Sequence, residues 1–142
     1  MGTDSNIDPE TVRAYLETEY RVGGEYPMTL VVGSVSKQLL AVYNQAGISS
    51  CAFLTACNPY SIALGAEENA MRQKKLALLL AVHGYRYAEG VGQHPTNGWP
   101  GEPSYLIWGI PRWHACAIAE EFQQNALIWA GAEGRPELIL LR

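Results

Sequence analysis

Charge is scarce in this chain. Only 17% of its 142 residues are charged, with 10 Lys and Arg against 14 acidic residues and a formal net charge of −4. That balance argues against a nucleic-acid partner, because affinity for a phosphate backbone comes mostly from basic side chains. Lys74-Lys75 is an isolated pair and makes no patch. Long hydrophobic runs are also missing. The longest strongly apolar stretch, Leu76 to Val82, is far too short to span a bilayer. The opening Met1-Gly2-Thr3-Asp4-Ser5 is polar and acidic, without the basic and apolar regions of a signal peptide. The expectation is a cytoplasmic protein with no membrane partner.

Cysteine is sparse and odd in number: Cys51, Cys57 and Cys116 cannot make a complete disulfide framework. No Cys-x-x-Cys or His-x-x-x-His pair exists, and His83, His94 and His114 fall in three different predicted environments. No metal site and no cofactor are therefore expected. The three thiols have apolar neighbours and read as small hydrophobes. Catalytic signatures are absent too: no Gly-x-Ser-x-Gly elbow, no Walker loop, no Gly-x-Gly-x-x-Gly after a strand. Gly90-Val91-Gly92 lacks the third glycine and precedes no helix. A Cys/His dyad of Cys57 with His94 or His83 is conceivable. Nothing beside Cys57 in the sequence would lower its pKa, however. Whether the chain is an enzyme stays open.

What is present suffices for one core. Hydrophobic residues make up 48% of the chain, which at this length fits a single domain over 1–142, with 1–8 expected to be flexible. Asp8-Pro9-Glu10 opens a short helix to about Leu16: a capping oxygen, a proline preset for the first turn, and an acid facing the dipole. An extended segment Thr18–Val22 and a strand Met28–Val32 follow. Ser36 caps a helix to Ala46, stopped by Gly47. A strand Cys51–Ala56 runs into the turn Asn58-Pro59-Tyr60-Ser61, and the longest helix spans Ala66–His83. Tyr85–Val91 reads as a strand, Gly92–Pro103 as a loop, Ser104–Gly109 as a strand, and Pro111–Phe122 as a helix. Ala126–Ala130 and Glu137–Leu141 form a closing antiparallel pair. Apolar strands alternating with amphipathic helices predict an α/β domain (α+β being the variant) whose sheet is mixed and flanked by three main helices.

Three stretches carry polar chemistry. Thr55, Asn58 and Ser61 lie at the carboxyl end of a predicted strand, where α/β proteins place ligands. The local alternative is that Asn58-Pro59 is simply a turn former and Ser61 a cap. On the following helix Asn69, Arg72, Leu76, Leu79 and His83 share one face, so Asn69 and Arg72 sit on an otherwise core-facing stripe. Arg72 then meets either an internal carboxylate such as Glu102 or an anionic group of a ligand, held in a two-pronged contact. The loop ending Trp99-Pro100-Gly101-Glu102-Pro103-Ser104 offers Trp99 for stacking and Glu102 for accepting hydrogen bonds. Alternatively it is a rigid cover, with Trp99 plugging the core edge. His114 reads as a packing histidine.

The ordered set Phe53-Leu54-Thr55-Ala56-x-Asn58-Pro59-x-Ser61, Glu68-Asn69-x-x-Arg72 and Trp99-Pro100-x-Glu102-Pro103-Ser104 resembles a bacterial family catalogued as a domain of unknown function, DUF3293. The resemblance runs from about Tyr15–Val22 to the last helix and brings no activity, cofactor or partner. It implies that turn, helix face and loop form one shared feature. It also implies a larger, often aromatic residue at position 57, where this chain has Cys57. The resulting expectation is a crevice for a polar or anionic small ligand, built by Thr55, Asn58, Ser61, Asn69, Arg72, Trp99, Glu102 and Ser104. The rival is a protein-interaction or structural module in which Asn58, Asn69, Arg72 and Glu102 form an internal polar network. A homodimer through an exposed apolar face fits that rival.

Overall fold

The computed structural model describes residues 5–142. Four helices and seven strands follow one another: α1 (Pro9–Glu17), β1 (Glu19–Val22), β2 (Met28–Leu30), α2 (Lys37–Ala46), β3 (Cys51–Leu54), α3 (Ala66–Val82), β4 (Arg86–Gln93), β5 (Glu102–Trp108), α4 (Arg112–Glu121), β6 (Ala126–Ala130) and β7 (Pro136–Leu140). The helix starts obey local chemistry. Asp8 accepts from the Glu10 N–H ahead of Pro9, and Ser36 accepts from the Leu39 N–H. Gly47, at φ 69°, ends α2 in the left-handed conformation that glycine adopts without a Cβ clash. Residues 1–4 of the segment expected to be flexible lie outside the described residues. Within the rest, Ile7 is buried and Asp8 caps α1.

All strands join one sheet in the order β2-β1-β4-β5-β3-β6-β7. The mixed α/β single domain is what the structure shows, but the strand directions need correction. Every pairing among the described residues is antiparallel, so the expected parallel neighbours are absent. The reason lies in the crossovers. β3 and β4 point the same way and are joined through α3, yet β5 occupies the place between them. β5 and β6 are likewise joined through α4, with β3 between. The β-helix-β alternation is real, but each unit is split by an antiparallel strand.

Alternation along β3 places two cores on opposite faces of the sheet. Ala52 and Leu54 pack with Leu76 and Leu80 of α3 and with Ala115, Ile118 and Ala119 of α4. Cys51 and Phe53 pack with Leu39, Val42 and Tyr43 of α2. Each fully buried Leu or Ile contributes about 1.5–3 kcal/mol. The sheet curls until its two ends are tied: the Gly33 N–H donates to the Pro136 carbonyl at 2.8 Å, and the Ser36 N–H to that of Gly134 at 2.9 Å.

The loop expected at Gly92–Pro103 is shorter, His94 to Gly101, because the ladder reaches into it. Gly92 pairs with both Tyr20 and Glu102, and Val91 pairs with Pro103. Glycine and proline disfavour strands locally. Here, neighbours on both sides of β4 override them.

Candidate functional site

The turn after β3 is unusual in its backbone. Asn58, Tyr60 and Ser61 have φ of 49°, 52° and 61°, a region costly for residues with a Cβ, by about 1–2 kcal/mol each. Surrounding groups hold it there. The Asn58 N–H donates to Asn69 Oδ1 at 2.9 Å, and Asn58 Oδ1 accepts from Asn69 Nδ2 at 2.8 Å and from the Leu64 N–H at 3.0 Å. The Tyr60 N–H donates to the Gln123 carbonyl at 2.7 Å. Ser61 Oγ lies 2.8 Å from the Tyr15 hydroxyl and accepts from Asn125 Nδ2 at 2.9 Å.

This turn forms one wall of an open cleft of about 1320 Å³. The other walls are α1 at Ala14 and Tyr15 with its C-cap Thr18, the first half of α3, the end of β4 and the start of β5. Protein interiors leave few voids larger than a water molecule, so a cleft of this size is not slack packing. Seven of the eight expected site residues line it: Thr55, Asn58, Ser61, Asn69, Trp99, Glu102 and Ser104. Asn58 Nδ2 reaches across to Glu102 Oε2 at 2.9 Å, joining turn and β5. Thr55 Oγ1 donates to the Pro103 carbonyl at 2.6 Å, and Ser104 Oγ to the Glu102 carbonyl at 3.0 Å. Trp99 is 54% exposed, so it plugs no core edge.

The eighth residue, Arg72, is placed elsewhere. It makes no ion pair with Glu102, and it is not among the cleft-lining residues. Its Nε donates to the Ala56 carbonyl at 2.5 Å, and its Nη2 to the Phe122 carbonyl and to Gln123 Oε1. Phe122 is the C-cap of α4, so the guanidinium meets the negative end of that helix dipole. A helix terminus takes the place of the carboxylate or ligand anion expected from the sequence.

The sequence reading overlooked Gln73. It is buried, and its Oε1 accepts from the Ala56 N–H at 2.7 Å, securing the end of β3. The signal was available: Asn69, Gln73, Leu76 and Leu80 are spaced as one helical stripe, and the last three are the buried residues of α3. The stripe through Arg72 and Leu79 to His83 was rotated slightly from it, and His83 is exposed.

Burial pushes the Glu102 carboxyl above its ordinary pKa, opposed by the hydrogen bond from Asn58. Burial also raises the Cys57 thiol; Thr55 and the Arg72 charge oppose this, and Glu102 adds to it. Cys57 Sγ lies 3.8 Å from the Pro103 carbonyl oxygen. Neither histidine joins it. His94 Nδ1 accepts from the Thr96 and Asn97 N–H groups, so its Nε2 carries the proton and donates to Glu17 at 2.9 Å. His83 stands against His114, whose Nδ1 lies 2.6 Å from the Tyr85 hydroxyl. No thiol-imidazole dyad is assembled. Among the described residues no group of three or more potential metal ligands clusters, and no helix is long and apolar enough to cross a membrane.

Residues 54–127, just over half of the chain, match a family described as a protein of unknown function, DUF3293. The match starts at the end of β3 and closes in β6, so it contains the turn, α3, the Trp99 loop and α4. No curated protein and no solved structure matches significantly.

Proposed function

The chain belongs to the DUF3293 family of proteins of unknown function, and we propose that this member binds a small polar molecule of the cytoplasm in the cleft between α1, α3 and the Trp99 loop. The observation that carries the reading is the cleft itself. Its volume of about 1320 Å³ has walls on which Asn58, Asn69, Glu102, Ser61 and Thr55 converge beside an exposed tryptophan. Ligand sites are concave, largely apolar, and furnished with a few convergent polar groups. The strained turn at Asn58–Ser61 on one wall adds support, since strain persists where the surroundings over-determine it and it concentrates at functional sites.

Filling the cleft tests this. Ala70 lines it from the exposed side of α3, so Ala70→Trp places an indole inside at little cost to folding, within about 0.5 kcal/mol as for other surface substitutions. A thermal-shift screen of small polar metabolites is expected to find compounds that raise the Tm of the wild type and not of Ala70→Trp, because a ligand stabilises only the state it binds. Stabilisation that survives in the filled variant, or no stabilising compound at all, refutes the reading.

The second reading, an interaction module, is favoured by a different observation. Met71, Leu78 and Val82 are 63%, 59% and 83% exposed on one face of α3. An association through that face leaves the Ala70→Trp comparison unchanged and is read from the mass of the particle in solution.

A further inference from the structure

We propose that the cleft takes a small organic cation, with Glu102 receiving its ammonium or guanidinium group and Trp99 covering its apolar part. This assignment rests on the cleft being a ligand site and names the chemistry of the ligand.

Glu102 is the only acidic residue in the hydrogen-bonded set that joins the turn to β5. Its Oε2 accepts from Asn58 Nδ2, a neutral amide. The ion pairs of the described residues are Arg21–Glu19, His94–Glu17 and Arg112–Glu137, and none includes Glu102. Every fully inaccessible side-chain oxygen or nitrogen among the described residues has a hydrogen-bond partner. Oε1 of Glu102 has no such partner and is therefore not sealed from solvent, and Glu102 lines the cleft. A carboxylate drawn partly out of water without a cation loses solvation that a cationic ligand restores.

The remaining charges on the walls do not favour an anion. Arg72 spends its Nε and Nη2 donors on Ala56, Phe122 and Gln123, off the lining. The cleft-lining groups that carry or gain charge are Glu89, Glu102, Lys74, His94, Cys57, Tyr15, Tyr20 and Tyr105. His94 Nε2 is committed to Glu17, and Lys74 is exposed on α3. An anion in this cleft meets the half-buried carboxylate of Glu102, while Glu89 and Lys74 are both exposed. The exposed indole of Trp99 completes the case: it lines the same space, and an aromatic face attracts cations through its quadrupole.

Phenethylamine, protonated at neutral pH, and 3-phenylpropionate, of similar size and opposite charge, serve as probes. Amide and indole NMR signals of the whole chain report binding, with the Asn58 side chain and the Trp99 indole as local markers. Phenethylamine is expected to shift both markers saturably, while 3-phenylpropionate leaves Asn58 unmoved. Glu102→Gln keeps an acceptor for Asn58 and is expected to weaken phenethylamine about tenfold or more, the usual consequence of removing the charge from a hydrogen bond. Equal or tighter binding of 3-phenylpropionate, or an unchanged affinity in a folded Glu102→Gln, overturns the cation assignment and leaves the cleft as a ligand site. Should Glu102→Gln fail to fold, the contrast between the two probes on the wild type decides alone. Silence of both probes at the markers also overturns the assignment, and the broader reading then stands or falls on the Ala70→Trp comparison.

Discussion

Arg72 and Asn69 are three residues apart on α3, yet they serve different parts of the molecule. Asn69 faces the turn, while Arg72 reaches the last carbonyls of α4 and the end of β3. Arg72→Ala leaves the Ala56 and Phe122 carbonyls without their charged donor. The expected loss of stability in chemical denaturation is about 1.5–3 kcal/mol, the range for hydrogen bonds to charged groups. Arg72→Lys should recover only part of it, because a single ammonium cannot fork between carbonyls. Since Arg72 and Glu102 do not touch, the double mutant with Glu102→Gln should be additive within about 0.5 kcal/mol. A strong coupling would mean that the two are paired after all. The residue types of the site were legible in advance: an Asn-Pro turn after an apolar strand, and polar residues on a core-facing helical stripe. The partners were not. A guanidinium signals only that it needs an acceptor, and carboxylate, ligand and helix terminus are equivalent from the sequence alone.

Elements were the most legible level, where signals are local. The caps at Asp8 and Ser36 and the stop at Gly47 act within a few residues of the helix ends they define. Strand ends were less so, and β4 and β5 show why. Gly92 reads as the start of a loop, but it sits with Gly90 in the middle of the sheet, between β1 and β5. At Gly90 the small residue is a packing requirement. A Cβ there would lie 2.6 Å from the Arg21 carbonyl oxygen and 2.7 Å from Phe53 Cε2. Gly90→Ala therefore forces apart β1 and the Tyr20–Phe53 pair, whose ring centroids are 5.3 Å apart. Overpacking of this kind typically costs about 1–3 kcal/mol. The expected outcome is a lower urea midpoint at an unchanged m-value, equivalent to a stability loss of that size; a neutral substitution would show that β4 can shift freely against β1.

At the scale of the whole molecule, two cores share one curled sheet, and the thiols report on them. Cys51 and Cys57 are buried, whereas Cys116 is partly exposed, and none forms a disulfide. Burial holds the Cys51 thiol up at about 12, and only the thiolate reacts. Under native conditions at neutral pH a maleimide should therefore label Cys116 first. Cys51 should follow only at the rate of global opening, with labels counted by intact mass. Simultaneous labelling of all three would mean that the α2 side of the sheet opens as readily as the surface. By itself the sequence determined the scarcity of charge, the odd number of cysteines, and the helices with their caps. All of these rest on composition or on interactions among near neighbours in the chain. Only the tertiary structure decided that every ladder is antiparallel, that Gly92 and Pro103 belong to strands, that Arg72 closes α4, and that a cleft lies beside Glu102. Those outcomes depend on which strands become neighbours. The same pattern of apolar residues buries equally well in several strand orders, so long-range pairing and packing choose among them.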